Sequence, residues 1–448
     1  MMTRNMKKIP VIICIDVEPD ELRIDPNIQK DWKGFERAFE FFNDLRPHLK
    51  AAAGSPVHFS WFFRMDPQIA RTYGTADWVV RRYPSLIEKI RIAGDALGLH
   101  VHPWRWHEKI GNWIVDFDQS WVDHCVKLGF ESFRASLNQP CTCFRFGDLW
   151  TNDATLALAE KLGAQIDLTP EPGQKGCRAD EFFGGSSIDP SDIPRHPYHP
   201  SRSDFRQSDA LHGRKLWIIP MTTGSTDWFP ESLNHGNGSS DPKRRENGTA
   251  RARLIATLNK MRRRYEGFLD RADGEFIAGW AYDNTRPRAS IEVEIYDGQS
   301  LLATTSAAIF RPDLLAKGKG NGRHAFNVVV PSCLKDGKPH SIWAKVKDTS
   351  FYLNNSPVEL KCSSADCPPK HLTLNLSFDS WSLRKIIERT LRDSEGPYLG
   401  LVVRSDVVTR PDQCSNMEQT LEYLLSHDSI SEMAFYTPTE MISTWCVS

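Results

Sequence analysis

No stretch of the 448-residue chain comes near the roughly 20 successive apolar residues that a membrane-crossing helix needs. An excess of one charge is also lacking: 56 Lys and Arg face 57 Asp and Glu, giving a formal net charge of -1 and no general electrostatic grip on nucleic acid. The ten cysteines are scattered and include no CxxC pair, which sets aside the usual cysteine clamp for a metal. Cys141 and Cys143 in "CTCF" alternate along an expected strand and read as small buried apolar residues, whereas Cys362 and Cys367 flank a short loop and could pair if oxidised. The opening "MMTRNMKKIPVIICID" has basic residues and an apolar stretch of only about seven, without a small-residue cleavage site, so it reads as a first strand. These absences lead to the expectation of a soluble, cytoplasmic protein with no membrane span and no nucleic-acid partner. They do not fix the oligomeric state.

What is present is alternation. The length exceeds one ordinary core, so two domains are expected. From residue 9 to about 228, the strand candidates "PVIICID", "VHFSWFF", "ALGLHVH", "TCFRFG", "AQIDLT" and "GRKLWIIPMTTG" are interleaved with helical patterns such as "DWVVRRYPSLIEKIRIAGD" and "TNDATLALAEKLG". That order predicts a parallel sheet or barrel with helices outside. Residues 229–265 read as a polar linker followed by a basic helix, "RARLIATLNKMRRRYE". Residues 266–362 lose the helical period and show alternating strands with Asp297-Gly298 and Asp336-Gly337 turns, the pattern of an antiparallel β-sandwich. Strand and helix patterns return over 370–446, so the sandwich is read as inserted into the first domain.

The chemistry concentrates in "ALGLHVHPWRWH", which holds His100, His102 and His107. Imidazole is the commonest metal ligand, and two histidines two apart on a strand share a face. The first strand ends "ICIDVEPDE", placing Asp16 and Glu18 together at its carboxyl end, where parallel barrels build their sites. Glu18, His100 and His102 make a two-histidine, one-carboxylate set that leaves coordination positions open, the catalytic pattern. Asp16 beside it is placed to accept a proton from water. Plainer readings stay open: Asp16 and Glu18 as caps of the next helix, the histidines hydrogen-bonded without metal, and Arg145 as an ion-pair partner.

The order of an acidic strand end, a histidine motif with His-Pro, and then "FRFG" resembles the polysaccharide deacetylases, the NodB-like proteins of carbohydrate esterase family four. The resemblance covers roughly residues 9–225 and 370–440, and implies a distorted (β/α)7-type barrel. By position it implies Asp16 as catalytic base, Glu18, His100 and His102 as ligands of a divalent metal (zinc first, with cobalt, nickel or manganese as alternatives), and Arg145 as the residue orienting the base. Asp167 in "AQIDLTPEPG" corresponds to the substrate-groove motif. Arg64 and Asp66 at the end of "WFFRMD", Tyr198 in "RHPYHPS" and Arg404 in "LGLVVRSDV" are further expected substrate contacts.

Two departures stand out. The histidines are two apart and not four, which leaves His107 as a possible substitute ligand. The last strand offers Arg404 and Asp406 where the family has a histidine acting as acid, and arginine does not release a proton at useful pH. The expected activity is removal of an N-acyl group, foremost N-acetyl, from an amino sugar in a cytoplasmic glycan precursor. The alternatives are a catalytically degenerate glycan-binding or scaffold protein, and another C–N hydrolase such as a sugar deformylase. In the inserted block, Trp280, Tyr282 and Trp343 read as core residues before they read as sugar-stacking ones.

Overall fold

A computed structural model of the chain describes residues 8–21, 24–109, 111–174, 192–225, 264–274, 276–298, 300–331, 334, 337–361, 371–393 and 397–447. The expected 229–250 linker, most of the basic helix, Asp336 and the Cys362 and Cys367 pair lie outside those residues. The chain divides into two compact units, residues 1–225 with 371–448, and residues 226–370.

The first unit is a distorted α/β barrel. Its strands before the second unit are β1 (Ile9–Val17), β2 (Ser60–Arg64), β3 (Ala96–Val101), β4 (Trp104–His107), β5 (Asn112–Val115), β6 (Cys143–Phe146), β7 (Ile166–Asp167), β8 (Trp217–Ile218) and β9 (Thr223–Ser225). The second unit carries β10 (Tyr265–Ala272), β11 (Phe276–Asp283), β12 (Glu292–Asp297), β13 (Ser300–Ser306), β14 (Ile309–Phe310), β15 (Arg323–Val329), β16 (Pro339–Val346) and β17 (Val358–Lys361). The chain then returns to the first unit with β18 (His371–Thr373), β19 (Leu399–Arg404) and β20 (Met433–Phe435).

A parallel sheet runs in the order β19-β1-β2-β3-β6-β7-β8, with β20 pairing β1 outside that path. The near-continuous apolar run of β1, buried from Pro10 to Val17, is what a strand covered on both faces requires. Helices Lys33–Ala53, Gln119–Leu137 and Asp153–Lys161 pack Phe35, Phe42, Phe133 and Leu156 into a core shared with Trp61 and Phe63 of β2. Asn152 caps the last of these helices through Thr155 N–H, and Gly163 just beyond it adopts φ +106.

Several details differ from the sequence reading. The single helix expected over "DWVVRRYPSLIEKIRIAGD" is two, Trp78–Arg82 and Pro84–Ile92, because Pro84 has no N–H to offer and disfavours helical backbone at Tyr83. "WRWH" and "NWIV" form an unexpected antiparallel ribbon, β4 with β5. Tyr265 and Glu266, assigned to the end of the basic helix, begin β10. "GRKLWIIPMTTG" is not one strand but the short β8 and β9, separated around Pro220.

The second unit holds two four-stranded antiparallel sheets, β10-β11-β15-β14 and β13-β12-β16-β17. Tyr282 is buried, while Trp280 and Trp343 are half-buried. In the first unit, β9 and β18 pair antiparallel, so Ser225 and His371, the residues bracketing the insertion, are direct partners.

Candidate active site

Parallel registration lines up the carboxyl ends of β1, β2, β3, β6 and β19. Asp16 is level with Arg404 and with Phe62, while Arg64, His100 and Arg145 are level with one another. Glu18 follows β1 directly, and His102 follows β3. The result is a buried knot of charge where each element runs out.

Its centre is small. His100 Nε2 and His102 Nε2 lie 3.0 Å apart, Glu18 Oε1 is 3.5 Å from the first and Glu18 Oε2 is 3.3 Å from the second. These are the residues that could hold a metal: Glu18, His100 and His102 offer ligand atoms all within 4.8 Å of one another, and all three are buried. His107, half-buried on the β4–β5 ribbon, is not part of that group. Two imidazole nitrogens meeting at a carboxylate, with at most one proton to share between them, form a donor set suited to a cation.

The electrostatics agree with this. Burial opposes the ionised form of Glu18, yet Arg404 and His102, with hydrogen bonds from both histidines, hold its carboxyl well below the ordinary range. Burial and the Arg64 guanidinium both oppose a proton on His102, but the Asp148 and Glu18 carboxylates outweigh them and raise its pKa to about 9. The same two carboxylates would draw a divalent cation, which displaces that proton on binding.

Around the centre each residue is fixed by a named partner. Arg64 Nη1 donates to Glu18 Oε2 at 3.0 Å and its Nε donates to Asp66 Oδ2 at 2.7 Å. Glu18 N–H donates to Ser405 Oγ at 3.2 Å. Arg145 Nε donates to Asp16 Oδ2 at 3.3 Å, Nη1 to the Leu168 carbonyl at 2.8 Å and Nη2 to Glu171 Oε1 at 2.6 Å. Despite burial, which disfavours its charge, Asp16 and Glu171 keep the Arg145 guanidinium firmly protonated. Asp16 Oδ1, 3.7 Å from His100 Nδ1, is a buried carboxylate oxygen without a hydrogen-bond partner, and His100 Nδ1 likewise has none. Neither Asp16 nor Glu18 caps a helix: among the described residues the next begins at Lys33, and there Gly34 N–H donates to Asp20 Oδ1 at 2.8 Å.

Four expected substrate contacts are buried against protein partners, two of them, Arg64 and Asp66, within the same charged network. Arg64 and Asp66 are fully buried: Arg64 supports Glu18, and Asp66 caps helix Pro67–Tyr73 by accepting from Gln68 and Ile69 N–H. Asp167 is fully buried, with Oδ1 accepting from Thr169 N–H at 2.8 Å, and burial pushes its pKa up to about 7. Tyr198 is buried and donates its hydroxyl to the Phe205 carbonyl at 2.8 Å. Arg64, Asp66 and Asp167 have no exposed surface and Tyr198 is 5% exposed. Arg404 is more open, with its side chain 24% exposed, 3.7 Å from Glu18 Oε1 and bonded to Asp406 at 3.0 Å.

Sequence reasoning missed Asp148, Glu171 and Ser405. Asp148 Oδ2 lies 2.8 Å from His102 Nδ1, and Trp104 Nε1 donates to the same oxygen at 2.6 Å. The signal for Asp148 and Glu171 was proximity in sequence to named motif residues, three after Arg145 and four after Asp167 respectively. Ser405 carried no such signal.

No known protein family matches the chain, and no curated protein does. Among solved structures, a candidate polysaccharide deacetylase from Mycobacterium smegmatis is 18% identical with a TM-score of 0.28, covering 59% of this chain and 76% of the other. A family 4 carbohydrate esterase from Streptomyces lividans, in complex with acetate, is 13% identical with a TM-score of 0.23, covering 37% and 64%. A family 4 pseudoenzyme from Bacillus anthracis is 13% identical with a TM-score of 0.23, covering 36% and 44%. The chain thus spans less than two thirds of the latter two. It is similar to NodB-like polysaccharide deacetylases, but at these identities and TM-scores the likeness carries no functional argument. That rests on the residues themselves. Among the described residues no helix is long and apolar enough to cross a membrane.

Proposed function

We propose that the chain is a metal-dependent hydrolase that removes an N-acyl group, foremost N-acetyl, from an amino sugar of a glycan precursor. The observation that carries this reading is the buried Glu18, His100 and His102 set with an unpartnered Asp16 carboxylate oxygen beside it. Glu18, His100 and His102 would hold a divalent ion, which would supply Lewis-acid polarisation of an acyl carbonyl and a more acidic water.

The protein's own groups do the rest. Arg145 fixes Asp16 through Oδ2 and leaves Oδ1 to accept the proton of the attacking water. The water oxygen bonds to the acyl carbon, the carbon–nitrogen bond breaks, and the nitrogen must gain a proton. β19 ends at Arg404 and is followed by Ser405 and Asp406, with no histidine there. Asp16, having taken a proton, is the group that returns it. Arg404, partly exposed and 3.7 Å from Glu18 Oε1, adds positive charge where the acyl oxygen becomes negative.

Asp16→Asn and Glu18→Gln separate the roles. Asp16→Asn is expected to lower acetate release from N-acetyl amino sugars by at least about a hundredfold while metal content stays near that of the parent. Glu18→Gln is expected to lose metal and activity together. Parent-like turnover in Asp16→Asn removes Asp16 as the base. If the metal-loaded parent releases neither acetate nor formate from any N-acyl amino sugar yet binds glycan, the missing histidine marks a binding protein instead.

A further inference from the structure

The two histidines at the centre are not equivalent. His100 Nδ1 has no hydrogen-bond partner, and its nearest carboxylate oxygen, Asp16 Oδ1, is 3.7 Å away. His102 is held at both ends. Its backbone N–H donates to Asp66 Oδ2 at 3.1 Å, and its ring Nδ1 meets Asp148 Oδ2 at 2.8 Å. Trp104 Nε1 donates to that same Asp148 oxygen, so the carboxylate is itself fixed.

The backbone is shaped for this contact. Asp148 and Leu149 both adopt φ 54, a left-handed conformation that side-chain-bearing residues rarely take in succession. Gly147 lies flat against the imidazole: a Cβ there would stand 2.1 Å from His102 Cε1. The turn after β6 therefore accepts an unfavourable conformation and leaves out a side chain, and both let the Asp148 carboxylate reach His102 Nδ1.

We propose that Asp148 is a positioning residue that presets His102 as a metal ligand. The inference rests on the metal-dependent reading above. An ionised carboxylate only accepts hydrogen bonds, so it requires the proton on Nδ1 and leaves the Nε2 lone pair facing Glu18 and His100 Nε2. Ligating histidines whose second nitrogen is anchored this way bind metal more tightly because neither tautomer nor ring rotation has to be selected on binding. His100 has no such anchor. Asp16 is thereby left free for the proton, while Asp148 is committed to the ligand.

The test is zinc affinity of the metal-free full chain, measured by competition with a chromophoric chelator, alongside the thermal melt of the same metal-free proteins. Asp148→Ala is expected to weaken zinc binding about 10- to 100-fold. Asp148→Asn, whose amide oxygen can accept the same N–H, is expected to lose less, roughly three- to tenfold. If Asp148→Ala does not fold, the Asn variant decides alone: weaker binding supports the proposal and parent-like binding overturns it. A variant that melts earlier but binds zinc as tightly as the parent shows a merely structural Asp148, which also overturns it. A parent chain that takes up no zinc removes the metal reading and this proposal with it, whereas a parent that binds beside an unaffected Asp148→Ala removes this proposal alone.

Discussion

The two units of the chain handle charge in opposite ways. At the carboxyl ends of the barrel strands, Asp16, Glu18, Arg64, Asp66, His100, His102, Arg145 and Asp406 are all buried, Arg145 linked to the others through Asp16 and Asp406 through Arg404. Among the described residues of the second unit, the buried polar side chains are Asp283 and His324. Asp283 is satisfied by Thr285 and Arg286 close in sequence and by Arg264 just before the neighbouring β10, and despite burial those bonds hold its carboxyl well below the ordinary range. Most other charges of that unit pair at the surface, as Arg311 does with Asp270 and Asp313. Burying charge costs stability unless every partner is in place, and apolar replacements are often no worse. A fold that needed only to be stable would look like the second unit. Under the proposed function, the barrel carries its buried network for chemistry.

That contrast is broken most sharply at Arg64, which is fully buried against Glu18, Asp66 and Gln68. Arg64→Ala is expected to destabilise the first unit by about 3–5 kcal/mol, the range for a buried ion pair left with one partner. Denaturant unfolding followed by a probe in the barrel checks this, and a loss below about 1 kcal/mol would mean that the network tolerates a missing cation.

Asp167 sharpens the contrast through pH. Its folded pKa of about 7 lies above the ordinary carboxyl value of about 3.9. Between those two values the folded chain keeps a proton that the unfolded chain has released. Stability conferred by this group is therefore full at low pH and is lost as pH rises from about 4 to about 7, by up to about 4 kcal/mol. Asp167→Asn keeps an oxygen for Thr169 N–H and cannot ionise, so the difference in unfolding free energy between parent and variant should grow with pH across that window. A difference that does not change with pH would show that Asp167 is ionised in the folded protein.

The smallest effect is expected from the largest change. Because Ser225 and His371 are direct partners in the β9–β18 ladder, removal of residues 226–370 and closure with Asn-Gly should make a short hairpin. The remaining barrel should unfold cooperatively, with a midpoint close to that of the first unit in the full chain, and should still bind zinc. A molten product would show that the barrel depends on the insertion.

Much of this was legible in the sequence because it rests on short-range regularities. Alternating strands and helices pointed to the parallel sheet, and the return of that pattern after residue 370 is the basis for reading the sandwich as inserted, alongside the two compact units. Asp16, Glu18, His100 and Arg145 each sit at or just beyond a strand end and were recognisable by type and order. Contacts made across the sheet were not legible. Strand-end position alone cannot tell whether Arg64 faces a groove or Glu18, since that depends on the register between β1 and β2. Asp148 was hidden for another reason: the left-handed turn that brings its carboxylate to His102 has no signature in "GDLW". The break at Pro84 could have been read and was overridden by the apolar period on either side of it.

The pairing of β1 with β19 has a consequence in time. Val11 to Asp16 lie against Leu399 to Arg404, and Glu18 meets Ser405 across 387 positions of sequence. At synthesis rates of roughly 5–20 residues per second, the first strand waits on the order of 20–80 seconds for its neighbour to be made. During that interval one side of β1 lacks the β19 hydrogen-bonding partner, and "PVIICI" carries no charge to discourage another strand from adding to it. Until β19 has been made that edge of β1 is open to other copies of the growing chain, and Arg404 and Ser405 join the cluster of acids and imidazoles only afterwards.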